Sequence, residues 1–167
     1  MENLKPMPLI VDPEGGKTLS VMGGNYRVLV SGKQTNGAFS TIEMLVPPQN
    51  GPGPHSHAGF YESFYMVEGE VEVHSEAGLY TAKKGAYVVI PEGGVVHYFK
   101  NVSDSMAQLL CTVVPAGLEA FFEEIGQPAT PGEFLPPPPV NPETVKRLQA
   151  IAQAHGQVLY PANYLEE

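Results

Sequence analysis

The chain has 167 residues and a formal net charge of −9. That length suits one domain with a terminal extension, and it is enough to bury a core. The nine basic residues are scattered, which argues against a nucleic acid or an anionic membrane as partner. No apolar run approaches the roughly 20 residues needed to span a bilayer.

The N-terminal stretch MENLKPMPLIVDPEGG has no basic region followed by an apolar run. It does not resemble a secretory leader, so a cytoplasmic location is expected. From about residue 18 to 114 the pattern is short and period-two. Candidate strands, in chain order, are TLSVMG, YRVLVSG, AFSTIEMLVP, SFYMVEG, EVEVHSE, LYTAKKG, AYVVIP, HYFKNV and AQLLCTVVP. Many short strands separated by Gly, Pro, Asn or Asp argue for an all-β sandwich or barrel. In EVEVH, Val71 and Val73 share one face and Glu70, Glu72 and His74 the other, as in a strand with one wet side. Cys111 is the only cysteine and lies in the apolar run LLCTVV. It has no partner for an internal disulfide and reads as a buried, inert thiol.

After Pro115 the period changes. In AGLEAFFEEIG, Leu118, Phe121, Phe122 and Ile125 recur at helical spacing and Gly126 is placed to stop the helix. The segment QPATPGEFLPPPPVNP reads as an extended strap. A second helix follows, with Asn141 as its cap and Pro142 in its first turn. Val145, Leu148 and either Ile151 or Ala152 form its apolar face, expected to rest on the barrel or on a partner subunit. The division expected is 1–127 for a β domain with its following helix, and 128–167 for the strap and C-terminal helix.

The chemistry concentrates in GPGPHSHAGFYESFYMVEGE, residues 51–70. His55 and His57 are two apart, so on an extended segment both imidazoles project from one face. Glu62 has the opposite parity, so the chain between must bend or bulge, and Gly59 is suited to supply that. Beyond the bend Glu62, Phe64 and Met66 share a face. A hairpin through Pro91–Gly94 returns with His97, a fourth candidate. Three imidazoles and a carboxylate suit Fe, Ni, Co, Mn, Cu or Zn. Four protein donors leave one or two open positions on a five- or six-coordinate metal, which favours catalysis. His74 and His155 read as solvent-facing residues rather than ligands.

These residues resemble the two cupin motifs. His55, His57, Glu62 and Gly69 match the first, and Gly85, Pro91, Gly93, His97 and Asn101 the second. The glycine that the first motif carries six positions before its leading histidine is Gln49 here, and one extra residue separates Gly93 from His97. The resemblance implies an all-β, cupin-type antiparallel jelly-roll β-barrel of six to ten strands, with a C-terminal helical extension. It implies one divalent first-row transition metal per subunit, held by His55, His57, Glu62 and His97, and a homodimer. The helix, strap, helix and HGQVLY ending is similar to single-domain bacterial cupins of the quercetin (flavonol) dioxygenase-like group. The activity so implied is oxygenation of a small organic substrate, flavonol-like, with dioxygen as the second partner. Glu62 would then be both ligand and acceptor of a substrate proton. The alternatives are a non-redox, isomerase-like cupin metalloenzyme and a non-enzymatic metal- or ligand-binding cupin.

Overall fold

A computed structural model describes residues 6–166. Its first three strands, β1 (Lys17–Val21), β2 (Gly24–Val30) and β3 (Ser40–Val46), form an antiparallel meander. In β3 burial alternates strictly: Ile42, Met44 and Val46 face the core while Thr41, Glu43 and Leu45 are half-buried. Next come β4 (His55–His57), β5 (Tyr61–Glu68), β6 (Glu70–Ser75), β7 (Gly78–Lys83), β8 (Tyr87–Ile90), β9 (His97–Lys100) and β10 (Ala107–Val114). Then follow α1 (Leu118–Ile125), β11 (Gln127–Pro128), α2 (Pro142–Ala154) and β12 (Gln157–Leu159).

Among the described residues these strands make two sheets. One has the order β11-β1-β2-β3-β10-β5-β8 and the other β12-β4-β9-β6-β7. A single buried cluster takes side chains from both, with Ile42, Met66, Leu109 and Val113 from the larger sheet and Val71, Val73 and Phe99 from the smaller. This is the jelly-roll expected from the sequence, with two differences. No hydrogen-bonded ladder closes the two sheets into a continuous barrel. The strand count also rises to twelve, because two short strands join from the C-terminal region. The two-residue β11 pairs with β1, and β12 pairs with β4.

Two buried polar side chains tie loops of the fold together. Asn101 is fully buried. Its amide donates to the carbonyls of Val46 (2.9 Å) and Ser105 (2.7 Å), and its oxygen accepts from Ser103 N (3.0 Å) and Oγ (2.7 Å). At the start of α1, Gly117 supplies no side-chain cap. Instead Glu119 accepts from the Gly117 amide at 2.9 Å and, with its other oxygen, from the Gly32 amide at 2.7 Å.

The C-terminal helix begins as its sequence indicates. Asn141 accepts from the Thr144 amide, Thr144 accepts from the Asn141 amide, and Pro142 opens the first turn. Its apolar face is the expected one except at Val145. Ala152 is fully buried and Leu148 and Ile151 pack against the core, but Val145 is 41% exposed. Val145 sits one turn from the free start of the helix, where α2 only brushes the rim of the cavity described below.

Candidate metal centre

The site lies between the two sheets. β4 and β9 of the smaller sheet pair with His55 directly opposite His97. His57, two residues along β4, projects from the same face. The chain then bends through residues 58–60 and enters the larger sheet as β5. That bend corrects the parity, so Glu62, Phe64 and Met66 all point inward and are buried. It does not need a glycine: Gly59 has no left-handed φ, and a Cβ there would meet nothing within 4 Å. The smaller sheet thus contributes three imidazoles, and the larger contributes the carboxylate.

The candidate ligand atoms of His55, His57, Glu62 and His97 all lie within 4.8 Å of one another. Nε2 of His57 is 3.0 Å from Glu62 Oε2, and Nε2 of His97 is 3.2 Å from the same oxygen. Behind the cluster, Nδ1–H of His97 faces the Val95 carbonyl at 3.0 Å and Nδ1–H of His55 faces the Gly53 carbonyl at 2.9 Å. Those bonds fix the rings and leave the Nε2 lone pairs directed inward, the usual outer support of a metal-binding imidazole. Both His97 nitrogens therefore face acceptors, and a neutral ring can satisfy only one of them. A cation on the Nε2 lone pair resolves that conflict, so the donor set fits a divalent metal. Nδ1 of His57 is buried without a hydrogen-bond partner among the described residues, and the ring stacks on Phe60 at 4.0 Å.

The electrostatics agree. Burial, then the neighbouring His97, lowers the His55 pKa from 6.5 to about 4, so His55 is neutral and able to ligate at pH 7. Burial alone would raise the Glu62 pKa, but the neighbouring His57 and His97 outweigh it and hold the carboxyl well below its usual range. Cys111 is fully buried, and its S–H donates to Glu62 Oε1 at 3.4 Å. Burial, then the Glu62 charge, pushes its thiol well up; it is buried as expected but stands against a candidate ligand rather than in plain core.

His55 and Glu62 open onto a cavity of about 280 Å³. Phe64 lines it, as its inward parity suggested, and so does Phe99; Met66 is buried but does not reach it. Tyr26, Phe122, Leu148 and Gln157 line it as well. Sequence reasoning missed these as site residues. Tyr26 lies on a strand remote in sequence from both motifs, and the others were read as packing or not assigned. His74 and His155 are outside the cluster. His74 stacks on Tyr98 at 4.4 Å, and His155 meets Glu124 at 2.7 Å.

Residues 42–113, which hold both motifs and all four donors, match the cupin domain family. Over those residues the chain is similar to a cupin domain. It is also similar to a quercetin 2,3-dioxygenase of Bacillus subtilis, at 23% identity over 93% of this chain and 45% of that protein. The chain thus spans about half the length of this curated relative. Among solved structures, a cupin-superfamily sugar phosphate isomerase from Silicibacter pomeroyi superposes with a TM-score of 0.58, at 18% identity over 65% of this chain and 77% of the other. Ectoine synthase from P. lautus gives 0.55, at 22% identity over 80% of this chain and 95% of the other. At those identities the structural likeness concerns the fold. No helix among the described residues is long and apolar enough to cross a membrane.

Proposed function

We propose that this cupin is a metal-dependent dioxygenase acting on a small, planar organic substrate of flavonol type. His55, His57, Glu62 and His97 would hold one divalent first-row transition metal. The observation that carries the reading is the junction of a four-donor cluster with an apolar, aromatic-lined cavity. The similarity to quercetin 2,3-dioxygenase over most of this chain supports the same substrate class.

When bound, the metal would supply a Lewis-acid site and an open position for a deprotonated substrate oxygen. The remaining work falls to the chain. Phe64, Phe99 and Phe122 bury the planar body of the substrate and exclude water. Glu62 accepts the proton of the substrate hydroxyl. In the metal-free site the neighbouring His57 and His97 keep its carboxylate a weak base. An Oε2 freed of its partners gains proton affinity, because burial penalises the charged form. Cys111, donating to Oε1, anchors one oxygen while the other moves.

The decisive experiment is elemental analysis of protein purified without added metal, beside oxygen uptake with quercetin and related flavonols. About one first-row metal per chain and flavonol-dependent uptake are expected. Metal without uptake, but with turnover of another substrate, would move the reading to a non-redox metalloenzyme. A homodimer belongs to the same proposal. β8 is an edge strand, and its outward Tyr87 and Val89 stand beside Tyr65, all exposed apolar side chains. Light scattering should give twice the chain mass, and Tyr87→Lys should reduce it.

A further inference from the structure

We propose that Gln157 is a substrate-binding residue, presenting its carboxamide to an oxygen of the ligand that occupies the cavity. The inference rests on reading that cavity as the substrate site, and it assigns part of the site to the C-terminal extension. Gln157 lies well outside residues 42–113, the segment that matches the cupin domain. It belongs to β12, which pairs antiparallel with the ligand strand β4 in the register Gln157↔His57 and Leu159↔His55. Directly opposed residues in an antiparallel pair project from the same face. Gln157 therefore stands on the face of β4 that carries the imidazoles.

Its surroundings are informative. Gln157 is 4% exposed, and its Nε2 has no hydrogen-bond partner among the described residues. It lines the cavity together with His55, Glu62, Phe64 and Phe99. A buried amide nitrogen without a partner costs stability, and a methionine would fill similar space without that cost. Folding therefore gives no reason for an amide here, whereas a ligand oxygen does. The ligand that fits is planar and apolar, with neighbouring hydroxyl and keto oxygens. One oxygen would lie at the donor cluster and another within reach of the Gln157 amide.

The test uses the full-length chain loaded with zinc, which suits the same donors but is redox-inert. Wild type and Gln157→Met are compared for zinc content, melting temperature and quercetin affinity, with Gln157→Glu as a variant that keeps size and acceptor but loses the donor. Zinc content should be equal in all three. Gln157→Met should melt at or above the wild-type temperature, because it removes an unpartnered polar atom. Both variants should bind quercetin roughly 3- to 10-fold more weakly, the effect of one hydrogen bond. Equal affinities would overturn the assignment, and so would a wild type that binds no quercetin. A drop of several degrees in Gln157→Met would also overturn it, since the amide would then be structural. Gln157-dependent quercetin binding in a protein that consumes no oxygen with any first-row metal would retain this inference and remove the dioxygenase reading. Gln157-independent binding with intact oxygen uptake would do the reverse.

Discussion

Gln49 stands where the first cupin motif has glycine, and its φ of 62° is left-handed. A side chain in that region costs about 1–2 kcal/mol in backbone strain. Gln49→Gly should therefore stabilise the fold by up to about 1 kcal/mol once the greater freedom of the unfolded glycine is subtracted. For a chain of this size that is a rise of roughly 2–4 °C, checked by thermal melting. Gly51 behaves oppositely. Its φ is 156°, and a Cβ there would lie 2.1 Å from the Phe99 carbonyl oxygen. Gly51→Ala must push β9 aside, and β9 carries His97. A loss of at least about 2 kcal/mol and lower metal content are expected. Unchanged melting and metal content would show that the 51–54 turn relaxes freely. The spacing of His55, His57, Glu62 and His97 was legible in the sequence because a strand's two-residue period leaves few ways to bring such residues together. The strain at Gln49 was not, since a residue's name does not state its φ. The same limit hid the placement of Cys111. Its apolar neighbours correctly implied burial, but its contact with Glu62 depends on β10 lying beside β5.

At the scale of elements, the helices and most central strands could be read because each carries a period or a cap. Leu118, Phe121, Phe122 and Ile125 mark α1, and the Asn141-Pro142 pair marks the start of α2. β12 carries neither. Three residues, QVL, show no alternation, and what makes them a strand is the open edge of β4. The ligand strand β4 is itself only three residues long and meets β9 through the His55–His97 pair. β12 therefore supplies much of its main-chain pairing. Tyr160 extends this contact, donating its amide to the Pro54 carbonyl at 2.9 Å. Truncation after residue 156 should loosen β4 and open the cavity. Its expected result is a lower melting temperature and weaker metal retention on dialysis, with the secondary-structure spectrum nearly unchanged. The helix cap gives a smaller, separable effect. Asn141→Ala should cost about 1 kcal/mol while leaving metal content intact. If both changes affected metal equally, β12 would have no special part in holding the site.

The whole molecule joins two sheets across a titratable centre, so its stability should depend on pH in a definite direction. In the metal-free protein, folded His55 resists protonation until about pH 4, whereas unfolded histidine takes a proton near 6.5. Between those values the unfolded state binds more protons, and stability falls as the solution is acidified. Glu62 acts in the same sense at lower pH. Its folded carboxyl is held below the ordinary value, so its contribution is complete above about 4.5 and is lost as pH falls further. The two windows are thus adjacent, His55 from 6.5 downward and Glu62 below about 4.5. Metal adds a third influence, because protons compete for the same nitrogens. Metal at 100 times its dissociation constant stabilises by about 2.7 kcal/mol, and this gain should shrink as acid lowers the affinity. The measurement is the melting temperature of chelator-treated protein from pH 7.5 to 4, with and without added metal. The metal-free curve should begin to fall near pH 6.5, and His55→Gln should flatten that first segment while leaving the part below 4.5. The metal-bound curve should converge on it as pH drops. A metal-free curve that is level from pH 7 to 5 would mean that His55 protonates in the folded state as readily as in the unfolded one. The ring would then have to swing out of the cluster, away from the Gly53 carbonyl that fixes it.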